Sequence, residues 1–386
     1  MYGTGDENKD RMIKIVDTTL RDGEETAGVV FSLQEKIGIA RVLDKLGVDE
    51  IEAGIPVMGG EELRAIKEIV GLNLRAVIMA WNRAVIKDID ASLECGVSAV
   101  SISIPSSDIH IKHKLGKNRA WVLTNLQKCV DYAKSRGLYV CASAEDASRA
   151  DAVFLLEFAQ AAREAGADRF RFCDTVGVLA PSSVFDRIKT IRHTVNIPIE
   201  VHMHNDFGMA TANIIAGIEG GADFANVTIN GLGERAGNAA LEEVVMVLKY
   251  VKGYETRVNM NRLKSASEYV EKASGREVHP GKPIVGSSIF THESGVHVAA
   301  ILKNNKTYEA FPPEEVGLIR QIVIGKYSGI DAVIQKFSEY SIEISEKQAA
   351  AIMRYVKLKV IKLKRSLFDK ELVSIYYDHI RKKGRG

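Results

Sequence analysis

Short runs rich in Val, Ile and Phe recur along the chain, separated by stretches long enough for a helix. Eight of them read as strands: Ile13–Leu20, Glu50–Gly54, Leu74–Trp81, Ala99–Pro105, Tyr139–Glu145, Arg169–Thr175, Pro198–His204 and Phe224–Asn230. Several intervening segments carry helix-start signals. Ser32 with Glu35 makes a capping box, Ser148 precedes a run ending at Gly166, and Pro181–Ser182 opens another. Gly47, Gly96, Gly137, Gly166 and Gly220 stand where helices should end. Eight strand–helix units in about 250 residues predict an α/β fold, a (β/α)8 TIM barrel. An open doubly wound sheet is the rival, but no G-x-G-x-x-G follows the first strand, and eight units close a barrel more naturally.

Beyond Tyr254 the pattern changes. Asn261–Ser274 reads as a helix, Gly275–Ser288 is rich in Gly, Pro and Ser, and the segment FTHESGVHVAAILKNNKTYEAF follows. Ser345 and Gln348 form a second capping box, opening a helical run towards Phe368 with Ile352, Tyr355, Val356, Val360 and Leu363 on one face. The expected organisation is a catalytic barrel over residues 1–255 and a smaller, mainly helical C-terminal region over 256–386.

Composition bounds the class. With 386 residues, 46% hydrophobic and 26% charged, the chain reads as a soluble globular protein, which excludes disorder, collagen-like structure and a disulfide scaffold. A net charge of +2 hides an asymmetry: from Ala351 to Gly386 eleven Lys/Arg face three Asp/Glu, so a mildly acidic body carries a basic tail. The tail reads as a solvated face or a subunit contact. No apolar run approaches the ~18 residues of a membrane span, and the start MYGTGDENKD has no signal-peptide core. Four scattered cysteines without a C-x-x-C pair indicate reduced thiols and a cytoplasmic protein. The loop His110–Arg119 is strongly basic; without interleaved aromatics it reads as a solvated loop or a seat for an anionic substrate or CoA phosphates, not for nucleic acid.

The strand ends carry the candidate chemistry. They finish in Arg21–Asp22, Glu52, Asn82–Arg83, Ser103/Ser106, Glu145–Asp146, Asp174–Thr175, His202/His204/Asn205/Asp206 and Asn230, and in a barrel these ends converge on the catalytic face. His202 and His204, at i and i+2 of one strand, point together into the mouth while Val201 and Met203 face the helices. Alone, such a pair is as readily two hydrogen-bonded histidines; at a barrel strand end it suits a divalent metal, with Asp22 from the first strand, a near neighbour around a closed barrel, as the oxygen ligand. Arg21 offers a positive fork for a carboxylate or an enolate oxygen. Gly231–Asn238 holds three glycines, as where backbone approaches a ligand or a phosphate, with Asn238 heading the next helix. The His292–His297 segment, with Lys303 and Tyr308, reads either as a lid or partner-subunit contribution or as a polar connector.

Asp17-Thr-Thr-Leu-Arg-Asp-Gly-Glu24, His202-x-His204-Asn-Asp206, Gly231-x-Gly-Glu-Arg-x-Gly-Asn238 and Ser294-Gly-Val-His297 together resemble the metal-dependent Claisen-type synthases: homocitrate, 2-isopropylmalate, citramalate and Re-face citrate synthases. Met79-Ala-Trp81, Ile104-Pro-x-Ser-Asp108, His113–Trp121 and Ala144–Asp151 look most like the nitrogen-fixation type of homocitrate synthase. The resemblance implies that Asp22, His202 and His204 bind a divalent metal, Mn2+ or Mg2+ with Zn2+ or Co2+ as alternatives, with Asn238 close by. It implies that Arg21 stabilises the oxyanion, that Thr175 holds the substrate carboxylate, and that His297 and Tyr308 come from the partner of a homodimer to assist proton removal from acetyl-CoA. Glu145 is a further acid/base candidate. The expected reaction is condensation of acetyl-CoA with 2-oxoglutarate to homocitrate. The alternatives are the same chemistry on oxaloacetate, pyruvate or 2-oxoisovalerate, a related lyase, or a non-catalytic metal- or CoA-binding scaffold.

Two departures from the family pattern stand out. Glu25 occupies a position commonly held by Gln, and a carboxylate there repels a dicarboxylic substrate unless it is protonated or paired. Lysine-pathway homocitrate synthases often carry an Arg on strand five where this chain has Cys141, on the same side as Ser143 and Glu145; Ser143 and Arg83 are then the candidate contacts for the substrate, with Arg83 as the substitute cation. Isopropylmalate synthases typically add a regulatory domain, and this chain is expected to stop before one.

Overall fold

Alternation along each strand decides what the sheet encloses. The computed structural model describes residues 11–378; the polar start Met1–Asp10 and the end of the basic tail, residues 379–386, lie outside the described residues. Eight parallel strands, β1 (Lys14–Asp17), β2 (Glu50–Glu52), β3 (Val77–Arg83), β4 (Ala99–Pro105), β5 (Tyr139–Glu145), β6 (Arg169–Asp174), β7 (Ile199–Met203) and β8 (Phe224–Val227), form a closed barrel in sequence order. β8 returns to β1 with Val16 opposite Asn226, so the open sheet is excluded and the fold is the TIM barrel. Residues 18–20 leave β1 because Thr19–Gly23 winds into one π-helical turn, a detail that places the site.

The helix signals land with two corrections. Ser32 accepts from Glu35 N while Glu35 accepts from Ser32 N at 2.8 Å, and Pro181 sits in the first turn of its helix. Ser148 instead lies inside the 3-10 turn Ala147–Arg149; Asp151 caps the helix Ala152–Glu164, accepting from Phe154 N at 3.0 Å. Gly220 is right-handed (φ −70°), and the left-handed residue is Gly221 (φ 114°).

Outward positions of the strands are mostly apolar and buried under the helices, with Asp17, Asn82 and Asp174 as buried polar exceptions. Phe170, for example, meets Phe158 edge-on with ring centroids 6.1 Å apart. Inward positions depart from the apolar layers usual in this fold: Glu50, Glu52, Arg169, Arg171 and Glu200 are all buried inside the barrel.

The chain divides into two compact units, Met1–Val278 and His279–Gly386. The change of pattern read near residue 255 marks the end of the eighth strand–helix unit. The first unit runs on because the helix Leu263–Ser274 packs on the helix Leu33–Leu46 at Gly38, where a Cβ would lie 1.8 Å from Tyr269 Oη. The second unit is mainly helical, with a two-stranded pair, β9 (Thr291–His292) and β10 (Gln321–Ile322). Its core gathers Val298, Val333, Phe337, Ile352 and Val356. The Ser345–Gln348 box opens the helix Glu346–Leu363, but the run to Phe368 breaks at Lys364 (φ 56°), because Leu367 N turns back to Ile324 O at 2.9 Å. Among the described residues no helix is long and apolar enough to cross a membrane, and all four cysteines are free and buried.

Asp17, at the end of β1, gives a test of the fold. It is fully buried, with one oxygen accepting from Thr19 N at 2.8 Å and the other without a hydrogen-bond partner. Burial, assisted by Glu242, pushes its carboxyl up to about 7 from an ordinary 3.8. Between those values the native chain holds a proton that the unfolded chain has released. Stability therefore falls as pH rises through the window, by at most ~1.4 kcal/mol per unit, and levels off above it. Asp17→Asn should remove that slope, so its melting temperature relative to wild type rises from pH 4 to 7. A pH-independent offset would overturn the assignment.

Candidate active site

The π-helical turn after β1 is set by Thr19 N bonding Asp17 Oδ1 and by Leu20, which is wholly buried. It turns Arg21 and Asp22 into the barrel mouth, both buried. On β7, Val201 and Met203 are buried on the helix side, while His202 and His204 face Asp22. Asp22 Oδ2 lies 3.2 Å from His202 Nε2 and 3.8 Å from His204 Nε2, and the two Nε2 atoms are 3.2 Å apart. One ligand atom from each residue falls within 4.8 Å of the others.

The protonation states suit a cation. Burial drives His204 down to about 4 against the pull of Asp22, so its imidazole is neutral at pH 7. Burial alone would raise Asp22, but Arg21 and the two imidazoles outweigh it and hold the carboxyl well below its usual range. A carboxylate and two imidazoles form a donor set for a divalent metal. Asn238 adds an independent sign. Its Nδ2 donates to Asp22 Oδ1 and to Leu232 O, both at 3.0 Å, which fixes the amide orientation, and its buried Oδ1 has no protein partner. An oxygen donor is thus left for an ion or its water. Asn238 does not head a helix; it bridges to His204, and Ala240 precedes the helix Leu241–Val247. Gly233 explains one glycine of this loop, since at φ 156° a Cβ would lie 2.1 Å from Asn238 Nδ2.

Behind the three residues runs a closed circuit of buried polar groups. His202 Nδ1 lies 2.8 Å from Asn226 Oδ1, and Asn226 Nδ2 donates to Glu200 Oε1 at 2.7 Å. Because a carboxylate can only accept, the amide is oriented, so His202 Nδ1 carries a proton and donates to Asn226, which turns the Nε2 edge of the ring towards Asp22. Glu200 lies 2.6 Å from Arg169 Nε and 2.7 Å from Arg171 Nε, ion pairs without aligned hydrogen bonds. Arg171 Nη2 donates to Glu52 Oε2 at 2.7 Å, Glu52 Oε1 accepts from Arg21 Nε at 2.7 Å, and Arg21 Nη1 is 3.1 Å from Asp22 Oδ2. Against its burial, Arg171 and Arg21 bring Glu52 down to about 2. Sequence reasoning missed Glu50, Arg169, Arg171, Glu200 and Asn226. The available signal was the alternation Glu-Ile-Glu on β2, Arg-Phe-Arg-Phe on β6 and Glu-Val-His on β7.

One cavity of about 240 Å³ brings together Arg21, Asp22, Glu25, Ser143, Glu145, Thr175, His202 and His204. Glu145 accepts from Lys114 Nζ at 2.6 Å, and Thr175 Oγ1 accepts from Asp146 N at 2.9 Å. Glu25 lies 3.7 Å from Arg21 Nη1, and burial pushes its carboxyl up. Arg83 is not brought there: its guanidinium forks onto Asp88 at 2.8 and 3.0 Å and is 61% exposed. Asn82 and Asn230 bond Ser92 and Ser267 instead of facing the mouth. Arg119 of the basic loop forks onto Asp108. His297 and Tyr308 belong to the second unit, where their rings stack with centroids 3.9 Å apart.

Residues 12–270 match the family model described as HMGL-like, and residues 284–362 match "Homocitrate synthase post-HMGL domain-like". A protein named 2-isopropylmalate synthase 2, from Caldanaerobacter subterraneus subsp. tengcongensis, is 58% identical over 374 residues, 97% of each chain. Homocitrate synthase 1 of Nostoc sp. is 50% identical over 363 residues, 94% of this chain and 96% of the relative. In fold, the barrel is similar to hydroxymethylglutaryl-CoA lyase from Pseudomonas aeruginosa, with a TM-score of 0.62 at 22% identity over 70% of this chain and 95% of that one.

His204→Ala should abolish binding of Mn2+ in calorimetric titration; full retained affinity would sink the ligand assignment. Asn226→Ala releases the His202 ring and should weaken Mn2+ binding about 10–100-fold, with circular dichroism confirming that the variant is folded.

Proposed function

The chain belongs to the HMGL-like family, and from that premise we propose a metal-dependent synthase of the Claisen type. It joins acetyl-CoA to 2-oxoglutarate, yielding homocitrate and CoA. The observation that carries this reading is the convergence of Asp22, His202, His204 and the unpartnered Asn238 Oδ1 beside Arg21 in one cavity.

A divalent ion bound by Asp22, His202 and His204 would hold the 2-oxo acid through its ketone and carboxylate and polarise the ketone as a Lewis acid. Arg21 is fastened at Nε by Glu52 and at Nη1 by Asp22, which leaves Nη2 for the oxygen on which charge develops. Thr175 binds the substrate carboxylate. His297 and Tyr308, supplied by the partner of a homodimer, take the proton from the acetyl methyl group, with Glu145 and its Lys114 partner as a further acid/base pair. The methyl carbon then bonds to the ketone carbon, and the resulting oxyanion accepts a proton. Water cleaves the thioester and releases the CoA thiol.

The cavity wall supports a dicarboxylic acid over a branched aliphatic one. Ser103, Ser143, Lys114 and Arg171 contribute polar or charged groups beside the carboxylates Glu25, Glu145 and Glu234, and of the lining side chains only Trp81 and Cys173 are apolar by type. An isopropyl group would desolvate these polar groups without compensation. The identity to a relative named for 2-isopropylmalate keeps 2-oxoisovalerate as the second reading.

Purified protein with Mn2+ or Mg2+ should release free thiol from acetyl-CoA fastest with 2-oxoglutarate in a panel that also holds oxaloacetate, pyruvate and 2-oxoisovalerate. Release with none of the four would overturn the synthase reading; release with 2-oxoisovalerate alone selects the second. His297→Ala should suppress turnover while 2-oxo acid binding is largely kept.

A further inference from the structure

We propose that Arg171, on β6, receives the distal carboxylate of the 2-oxo acid and so sets the preference for a dicarboxylic substrate. This deepens the synthase reading and rests on it. A 2-oxo acid anchored at Asp22, His202 and His204 through its ketone end must leave a second carboxylate somewhere in the cavity. That group needs a cation or several donors once water is displaced.

The cations near the mouth differ in how they are engaged. Arg83 is turned onto Asp88. Lys114 sits at the rim, 56% exposed, on Glu145. Arg235 forks onto Asp206 and donates to Thr175 O. Arg169 lies two residues deeper on β6 and does not line the cavity; Glu50 and Glu200 hold it.

Arg171 lines the cavity and is buried. Cys173, the next inward position on β6, stands level with His202, so Arg171 lies one inward step below the candidate ligands, about 6–7 Å along the strand. That depth suits a carboxylate two methylenes beyond the ketone. Its Nη2 donates to Glu52, its Nε is ion-paired with Glu200 without an aligned hydrogen bond, and Nη1 has no hydrogen-bond partner among the described residues. Ser143 is its register partner on β5 and brings a hydroxyl to the same wall. The cation that strand five lacks at Cys141 is thus supplied from the neighbouring strand. Held at two points, the guanidinium is a fixed fork, and geometry rather than excess charge selects the ligand: Glu50, Glu52 and Glu200 already balance Arg21, Arg169 and Arg171.

The test is binding of 2-oxoglutarate against its distal amide, 2-oxoglutaramate, to the Mn2+-loaded full chain by calorimetry. Wild type should favour the acid by roughly tenfold or more, and Arg171→Gln, checked by circular dichroism and melting, should abolish that advantage. A folded Arg171→Gln that keeps the advantage overturns the proposal. If Arg171→Gln does not fold, Arg171→Lys, which keeps the charge and loses the fork, should reduce the advantage, and an undiminished one overturns it. Equal wild-type affinity for acid and amide overturns it without any variant. Thiol release separates the two readings: CoA release with 2-oxoglutarate alongside a retained acid preference in Arg171→Gln defeats only this inference. Loss of acid preference in Arg171→Gln, with no CoA release by the wild type from any of the four 2-oxo acids, defeats only the synthase reading.

Discussion

The mouth of this barrel depends on a circuit of buried ion pairs and hydrogen bonds running from Asp22 through Arg21, Glu52, Arg171, Glu200 and Asn226 to His202 and back to Asp22. Buried pairs of this kind contribute little net stability, because each charge loses its hydration before it gains a partner, and a hydrophobic interior often does as well. What the circuit supplies is orientation. Glu200 turns the Asn226 amide, the amide sets the His202 tautomer, and Glu52 holds the Arg21 guanidinium beside Asp22. Removing one member leaves its neighbours charged, buried and free to rotate, so an error deep in the barrel is felt at the mouth.

The division of labour along each strand follows from this. Outward positions are mostly apolar and pack under the helices, while inward positions change character with depth. On β6 the inward series is Arg169, Arg171 and Cys173, and on β7 it is Glu200, His202 and then His204 just beyond the strand end. Charges that balance one another lie deep, and groups with free electron pairs lie at the mouth. Low dielectric surroundings strengthen both sets, but only the mouth opens on a cavity where a substrate can use them.

Much of this was legible in the chain. The eight apolar runs each became a strand, and His202-x-His204 with Asp22 emerged from alternation and strand order alone. The interior charges were hidden for a physical reason. A charged residue alternating with Phe, as in Arg169-Phe-Arg171-Phe, ordinarily marks a strand with one wet face; only closure of the sheet turns that face into an interior. The fate of Arg83 was hidden too, since its partner Asp88 lies in the following helix, five residues on, and competes with the mouth for the guanidinium. Asn238 likewise read as a helix-heading residue by type, whereas its bridge to His204 depends on strand β7 meeting the loop after β8.

The same balance limits how such a site can change its substrate. Three carboxylates and three guanidiniums occupy the inner barrel, and Arg171 touches two of the carboxylates. An apolar residue at 171, which would make room for a branched side chain, leaves Glu52 and Glu200 sharing one counter-ion fewer. The cost falls first on the groups that position Arg21 and His202. A viable change of specificity therefore has to neutralise or remove a carboxylate as well, most directly Glu200, and that in turn frees the Asn226 amide to flip. On the proposed reading, substrate choice and ligand geometry are coupled through Glu200 and Asn226, which neither the substrate nor a metal ion need touch.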